Sequence, residues 1–212
     1  EKYKDVIEAA VKYTKGIQGK DPKDVAKFGA IGYGSDPTKG DIINTGEALE
    51  MLAQAGVPKD DPVWKDALVF LARTQNLDEY AEAGVKTQND GGAIYRSVRD
   101  AKDASKAGII KLPDGTEVPR SYGGATYNLL KTLLFAGMKK DDPRVQAAYK
   151  WIADHYTVKE HPEMGSQGLY YFYYTMARTL ELWGEPTIKS GETVRPWPVD
   201  LAGQIISLQK ED

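Results

Sequence analysis

The chain has no cysteine among its 212 residues, which excludes disulfides and thiolate-held zinc while leaving the redox compartment open. It has no run approaching the ~20 consecutive apolar residues that span a bilayer, so no transmembrane segment is expected. Neither charge dominates: 28 basic residues face 31 acidic ones, for a net charge of −3. Lysines and acids are interspersed, no basic stripe can be drawn, and nucleic acid is discounted as a partner. Histidine is scarce, with only His155 and His161. They read as solvent-facing or capping side chains at one helix end and its loop, not as ligands, so no metal or cofactor is expected. What is present is ordinary for a folded protein: 41% hydrophobic and 28% charged residues, enough for a single domain over 1–212. The start at Glu1-Lys2-Tyr3 fits a mature protein after signal-peptide removal as well as an internal boundary, which leaves secreted, periplasmic and cytoplasmic locations open.

Self-similarity organises the rest. Ala-Gly-Val-Pro-Lys-Asp-Asp-Pro at 55–62 returns as Ala-Gly-Met-Lys-Lys-Asp-Asp-Pro at 136–143, an offset of 81 residues. Each copy leads into a one-faced apolar pattern, Val63, Ala67, Phe70 and Leu71 in the first and Val145, Ala148, Trp151 and Ile152 in the second. Asp61 and Asp142 read as N-caps, with Pro62 and Pro143 at the first helical position. Gly56 and Gly137 read as left-handed stops of the preceding helices.

These helices share a skeleton: a small residue, two positions, an aromatic, an aliphatic, three positions, and glutamine. Ala67, Phe70, Leu71 and Gln75 fit it fully, and Ala10, Tyr13, Thr14 and Gln18 fit with threonine for the aliphatic. Ala148, Trp151 and Ile152 end in Tyr156, while Leu201, Gln204, Ile205 and Gln209 lack the aromatic. After each of the first three comes a glycine turn with an aromatic: Gly29 to Tyr33, Asp90 to Tyr95, and Gly165 to Tyr170. Each turn delivers the chain to a further helix. The expected inner helices are 44–55, 123–136 and 170–183, the last ending at Gly184 and Pro186. The outer ones are 3–18, 63–75, 143–156 and 198–209. An insertion over 97–120 carries two short apolar arms around Pro113-Asp114-Gly115, which predicts a small hairpin.

A small-x2-aromatic-aliphatic-x3-Gln helix followed by Asp-Gly-x-aromatic resembles the QW repeat of squalene and hopene cyclases, shared more loosely with protein prenyltransferase β subunits. The resemblance covers nearly the whole chain. It is closest over Gly168 to Arg178, which is similar to the cyclases' last inner helix, and over Trp197 to Asp212, which is similar to their terminal QW helix. It implies an all-α fold: a partial α/α toroid of about 3.5 helix pairs, forming an arc with a concave apolar face exposed, unless the chain dimerises or belongs to a longer protein.

The chemistry of those enzymes is missing. Protonating an alkene needs an acid held proton-loaded by an Asp-x-Asp-Asp motif, which the chain lacks. The pairs Asp60-Asp61 and Asp141-Asp142 lie between helices, and without cysteine the prenyltransferase zinc site cannot form. What remains is aromatic. Tyr171 and Tyr174 match cavity-facing positions of the cyclases. Tyr33, Tyr95, Tyr122, Tyr127 and Tyr170, with Arg96 and Arg178, complete the candidate ligand-binding face; Arg120 is a further arginine that could meet an anion. Three functions are compatible. The favoured one is a cyclase-like domain without catalysis that binds a hydrophobic or isoprenoid-like small molecule, a glycan or a protein partner. The alternatives are an enzyme, either a terpenoid cyclase completed by a further segment or a polysaccharide-active protein, and a scaffold that forms homodimers.

Overall fold

The computed structural model describes residues 2–33, 40–99 and 103–209. Residues 100–102 of the expected insertion and Lys210 to Asp212, the end of the expected terminal segment, lie outside the described residues. The fold is mostly helical, with two small antiparallel hairpins. In chain order its elements are α1 (Lys4–Ile17), α2 (Ile42–Gln54), α3 (Pro62–Thr74), β1 (Ile109–Lys111), β2 (Glu117–Pro119), α4 (Gly123–Phe135), α5 (Pro143–Asp154), α6 (Leu169–Trp183), β3 (Ile188–Ser190), β4 (Thr193–Arg195) and α7 (Trp197–Ser207).

Local sequence accounts for the helix boundaries. The Asp61 carboxylate accepts the Val63 amide at 3.0 Å and the Asp142 carboxylate accepts the Arg144 amide at 2.9 Å, each directly before the proline that opens its helix. Gly56 and Gly137 follow α2 and α4 in the left-handed conformation. Asp41 opens α2 by accepting from both Ile43 and Asn44 at 2.9 Å. The last outer helix, expected over 198–209, begins at Trp197 and ends at Ser207, leaving Gln209 beyond it.

Helices α2, α4 and α6 pack side by side with α4 in the middle, and α3 and α5 pack behind them. Every residue of α4 from Gly123 to Leu133 is buried as a result. The three run parallel: Gly46 and Glu47 meet Asn128, Lys131 and Thr132, while Asn128 in turn reaches Tyr171. Phe70, Trp151, Phe172 and Met176 fill the main core between the two layers.

The glutamine of the repeat skeleton is a joint. Gln18 Nε2 donates to Gly29 O (3.1 Å) and to Val63 O (2.9 Å), tying the end of α1 to the following glycine turn and to the first turn of α3. Gln75 Nε2 repeats this one unit later, donating to Gly91 O (3.2 Å) and Arg144 O (2.9 Å) at the start of α5. Tyr156, which replaces the glutamine at the end of α5, donates to Asp200 of α7 at 2.9 Å and so reaches the same kind of place. The glycines matter equally. Gly29 and Gly91 both have positive φ, and a Cβ on either would strike a carbonyl oxygen of the next outer helix, Asp66 O at 1.9 Å or Ala147 O at 2.6 Å. Only glycine lets the turn lie this close.

The hairpin expected around Pro113-Asp114-Gly115 forms, with Ile109 opposite Pro119 and Lys111 opposite Glu117. The remainder of the insertion is more than decoration. Arg99, pushed down to about 10 by burial, donates to the Arg73 and Gln75 carbonyls at 2.9 Å and to Asn76 Oδ1 at 2.6 Å, capping the C-terminus of α3. The β3–β4 hairpin is a correction: the expectation held one hairpin, in the insertion, and was helical elsewhere. Ile188 is buried in the main core, and Gly191 in the left-handed conformation turns the pair.

Of the solvent-facing and capping roles expected for His161, the structure shows the second: the ring is buried, stacked on Phe172 with ring centroids 4.8 Å apart, and caps the first turn of α4. Its Nε2 lies 2.7 Å from the Gly124 amide and so accepts, while Nδ1 lies 2.8 Å from Gln167 O and so donates, which fixes a neutral ring. Burial pushes its pKa below 6.5, against the opposing pull of the Gln167 bond. Because the folded value is the lower one, the unfolded chain binds more protons, and this contribution is complete above pH ~6.5 and shrinks as pH falls. The urea midpoint is therefore expected to decline between pH 7.5 and 5.5, and His161→Gln, which does not titrate, should flatten that decline. An equal decline in both proteins would refute the assignment.

Candidate functional site on the inner helices

The inner row does not present the expected apolar face. Its centre is a charge network joining all three helices. Lys131 Nζ on α4, fully buried, donates to Glu47 Oε1 and Glu50 Oε2 on α2, both at 2.9 Å. Glu50 Oε1 accepts from Arg178 on α6 at 2.6 Å, and Arg178 also pairs with Glu181 at 2.8 Å. A buried ammonium persists only when paired this fully. Burial pushes the Glu50 carboxyl up, but the hydrogen bonds from Lys131 and Arg178 outweigh it and hold the group below the usual carboxylate range. Burial likewise lowers Lys131, and the bonds to Glu50 and Glu47 raise it further than burial depresses it.

Above this network two shallow clefts share Gln54 and Arg178. One, of ≈ 340 Å³, is lined by Glu47, Glu50, Met51 and Tyr174 besides those two. The other, of ≈ 300 Å³, runs on to Phe135, Glu181 and Leu182. Among the described residues no side chain of α3 or α5 lines either cleft.

The expected site residues divide into three groups. Tyr171, Tyr174 and Arg178 come together as one stripe on α6, spaced i, i+3 and i+7, with the two tyrosine rings 6.3 Å apart. Tyr171 and Tyr174 stay 39% and 48% exposed. Burial raises the Tyr171 phenol, which lies 3.5 Å from Asn128 Nδ2. Tyr170 is exposed and packs edge-on against Tyr173, and Tyr33 is exposed beyond the first glycine turn.

A second group surrounds the N-termini of α2 and α4 and is engaged structurally. Lys106 lies over the Tyr95 ring at 4.1 Å, and burial, with Asp41 close by, pushes the phenol up to about 12. Arg96 pairs with Asp103 at 2.6 Å and donates to Gly40 O at 3.2 Å. Arg120 pairs with Glu163 at 2.8 Å. The third group is buried and is removed from the candidate surface. Tyr122 is the buried N-cap residue of α4, and Tyr127 packs edge-on against Phe172 at 5.4 Å. Both follow from the central place of α4, which has neighbours on every side.

Glu47, Glu50, Gln54 and Lys131 were not among the expected site residues. A signal for them exists. Glu47, Glu50 and Gln54 recur at i, i+3 and i+7 on one helix, and Lys131 stands within Leu129-Leu130-Lys131-Thr132-Leu133-Leu134, where burial without a partner would be prohibitive. No group of three or more histidine, aspartate or glutamate side chains that could hold a metal occurs among the described residues.

Comparison with protein-family models, with curated proteins and with solved structures finds no match for this chain.

Proposed function

We propose that the chain is a noncatalytic ligand-binding domain built as a partial α/α toroid of the squalene cyclase and prenyltransferase repeat type. The recurrence of the glutamine joint at Gln18 and Gln75, and the parallel inner row backed by outer helices, support the architecture. One observation carries the function: Tyr171, Tyr174 and Arg178 stand together, partly exposed, beside a cleft whose floor is an ion-paired network. Adjacent large side chains left half in water on an otherwise packed row mark a contact surface.

The ligand that suits this face has an apolar, isoprenoid-like body and a polar head. The body lies along the tyrosines, and the head meets Gln54, Glu47 and Arg178. Farnesol is a suitable probe. Its titration, followed by intrinsic fluorescence or calorimetry, is expected to give saturable binding that Tyr174→Ala weakens about tenfold, a loss of ~1.4 kcal/mol, without moving the thermal midpoint. Equal affinity in the wild-type protein and in Tyr171→Ala/Tyr174→Ala would refute the site, and the absence of any binding would refute the ligand class.

A further inference from the structure

A further cleft, of ≈ 330 Å³, forms where four stretches of chain meet: the loop after α1, the end of α3, the turn that follows α3, and the insertion. It shares no lining residue with the two clefts of the inner row. Its walls are apolar, from Val25, Ala81, Val85 and Val98, and its charged groups are Arg73, Glu82 and Arg99. The walls are fastened in place. Val85 N donates to Glu82 O at 2.9 Å across the turn, and Ser97 Oγ donates to Val25 O at 3.0 Å, tying the insertion to the loop after α1. The volume is in the range of pockets that enclose small ligands.

The charges around this cleft do not balance. Arg73 Nε stands 2.9 Å from Glu82 Oε1, which neutralises that guanidinium. Arg99 has no such partner among the described residues: its three acceptors, Asn76 Oδ1 and the Arg73 and Gln75 carbonyls, are all neutral. Asp78 acts on Arg99 from outside the cleft lining, and its Oδ1 already accepts from Thr87 at 2.8 Å. The carbonyl end of α3 offsets roughly half a charge. The remainder is a desolvated cation without an anion, an arrangement that folded proteins ordinarily complete. The three bonds also leave two of the five guanidinium N–H groups unused, Nε–H and one on Nη1. Arg99 Nε is not sealed within the protein, so it is reachable from the cleft that Arg99 lines.

We propose that this cleft binds a small aliphatic carboxylate, with the carboxylate on Arg99 and the carbon chain against the three valines. A monoanion matches the single charge left over once Glu82 has neutralised Arg73, and the apolar walls select a ligand with a hydrocarbon body. The site is independent of the tyrosine stripe and of the ligand proposed for it.

Calorimetric titration with hexanoate tests it, and saturable binding to the wild-type protein is expected. Hexanol lacks the charge and acetate lacks the chain, and each should bind about tenfold more weakly or less. Glu82→Gln frees Arg73 and should tighten hexanoate about threefold, the scale of a partly exposed ion pair. Val25→Glu sets a like charge in the wall and should weaken hexanoate about tenfold or more. Glu82 is exposed and Val25 is 36% exposed, so both variants should keep the wild-type circular dichroism. Arg99→Gln should abolish binding; because it also loosens the end of α3, the other two variants decide. Tyr171→Ala/Tyr174→Ala should bind hexanoate as the wild type does. The absence of saturable hexanoate binding overturns the proposal. So does hexanol binding as tightly as hexanoate, and so does a hexanoate affinity that neither Glu82→Gln nor Val25→Glu changes.

Discussion

Replacing Glu50 with glutamine is expected to lower the folding stability by about 3 kcal/mol, the scale seen when one partner of a buried ion pair is removed. The substitution preserves shape, removes the charge and turns one of the two accepting oxygens into an amide donor. Lys131, with its side chain wholly enclosed, would then face Glu47 alone, whose own side chain is substantially exposed, and Arg178 would keep only Glu181. Urea denaturation of Glu50→Gln, Lys131→Met and the double variant measures the coupling. The double variant should cost clearly less than the two single losses added together. The pH profile has a definite sign at each end. Glu50 sits below its ordinary 4.5 when folded, so its contribution is complete above that value and is lost as pH falls through the lower one. Lys131 sits above its ordinary 10.5, so its contribution is complete below that value and is lost as pH rises past it. Glu50→Gln should therefore lose stability near neutrality and show a shallower acid limb. A change of less than ~0.5 kcal/mol, the range of ordinary surface substitutions, would contradict the network.

Gly29→Ala is the second large effect. The left-handed backbone costs an alanine ~1–2 kcal/mol, and overpacking adds ~1–3 kcal/mol because the new Cβ would lie 1.9 Å from a helix carbonyl that cannot swing aside. A loss of about 3–4 kcal/mol should lower the thermal midpoint by roughly 6–15 °C in a chain of this size. Gly56→Ala separates the two contributions. Its φ is equally positive at +75°, but nothing lies within 4 Å of the added carbon, so it should bear the backbone cost alone. If the two alanine variants melt together, the close approach between turn and helix is not what requires glycine at position 29.

Much of this architecture could be read from the residues because it rests on local signals. Asp-Pro pairs start helices, Ala-Gly pairs stop them, and the Pro113-Asp114-Gly115 turn pairs its arms through short-range geometry. The inner face was harder to read. Its tyrosine stripe follows from helical spacing, so Tyr171, Tyr174 and Arg178 were found together. Whether α4 lines a surface or fills a core depends on how many neighbours it has, which no pattern within 123–136 encodes, and Tyr122 and Tyr127 were misplaced for that reason. The Lys131 network went unforeseen because its members are separated by 81 and 128 residues and only packing makes them partners. For His161 the residues left a solvent-facing and a capping role open, and only packing decides between them, by occupying both ring nitrogens at the start of α4. The β3–β4 hairpin is too short to stand out between a helix stop and a proline.

The glutamine joints separate what must stay fixed from what is free to vary. Gln18 and Gln75 each clamp the same two places, a glycine turn and a helix start, although the first clamp reaches 45 residues ahead and the second 69. The extra length is accommodated between clamps, where a longer excursion costs only ~0.6 kcal/mol per doubling. The segment from 97 to 120 houses that extra length and is itself riveted to the frame, through Arg99 on the end of α3 and the buried Val118, so the added span lies against the helices it connects.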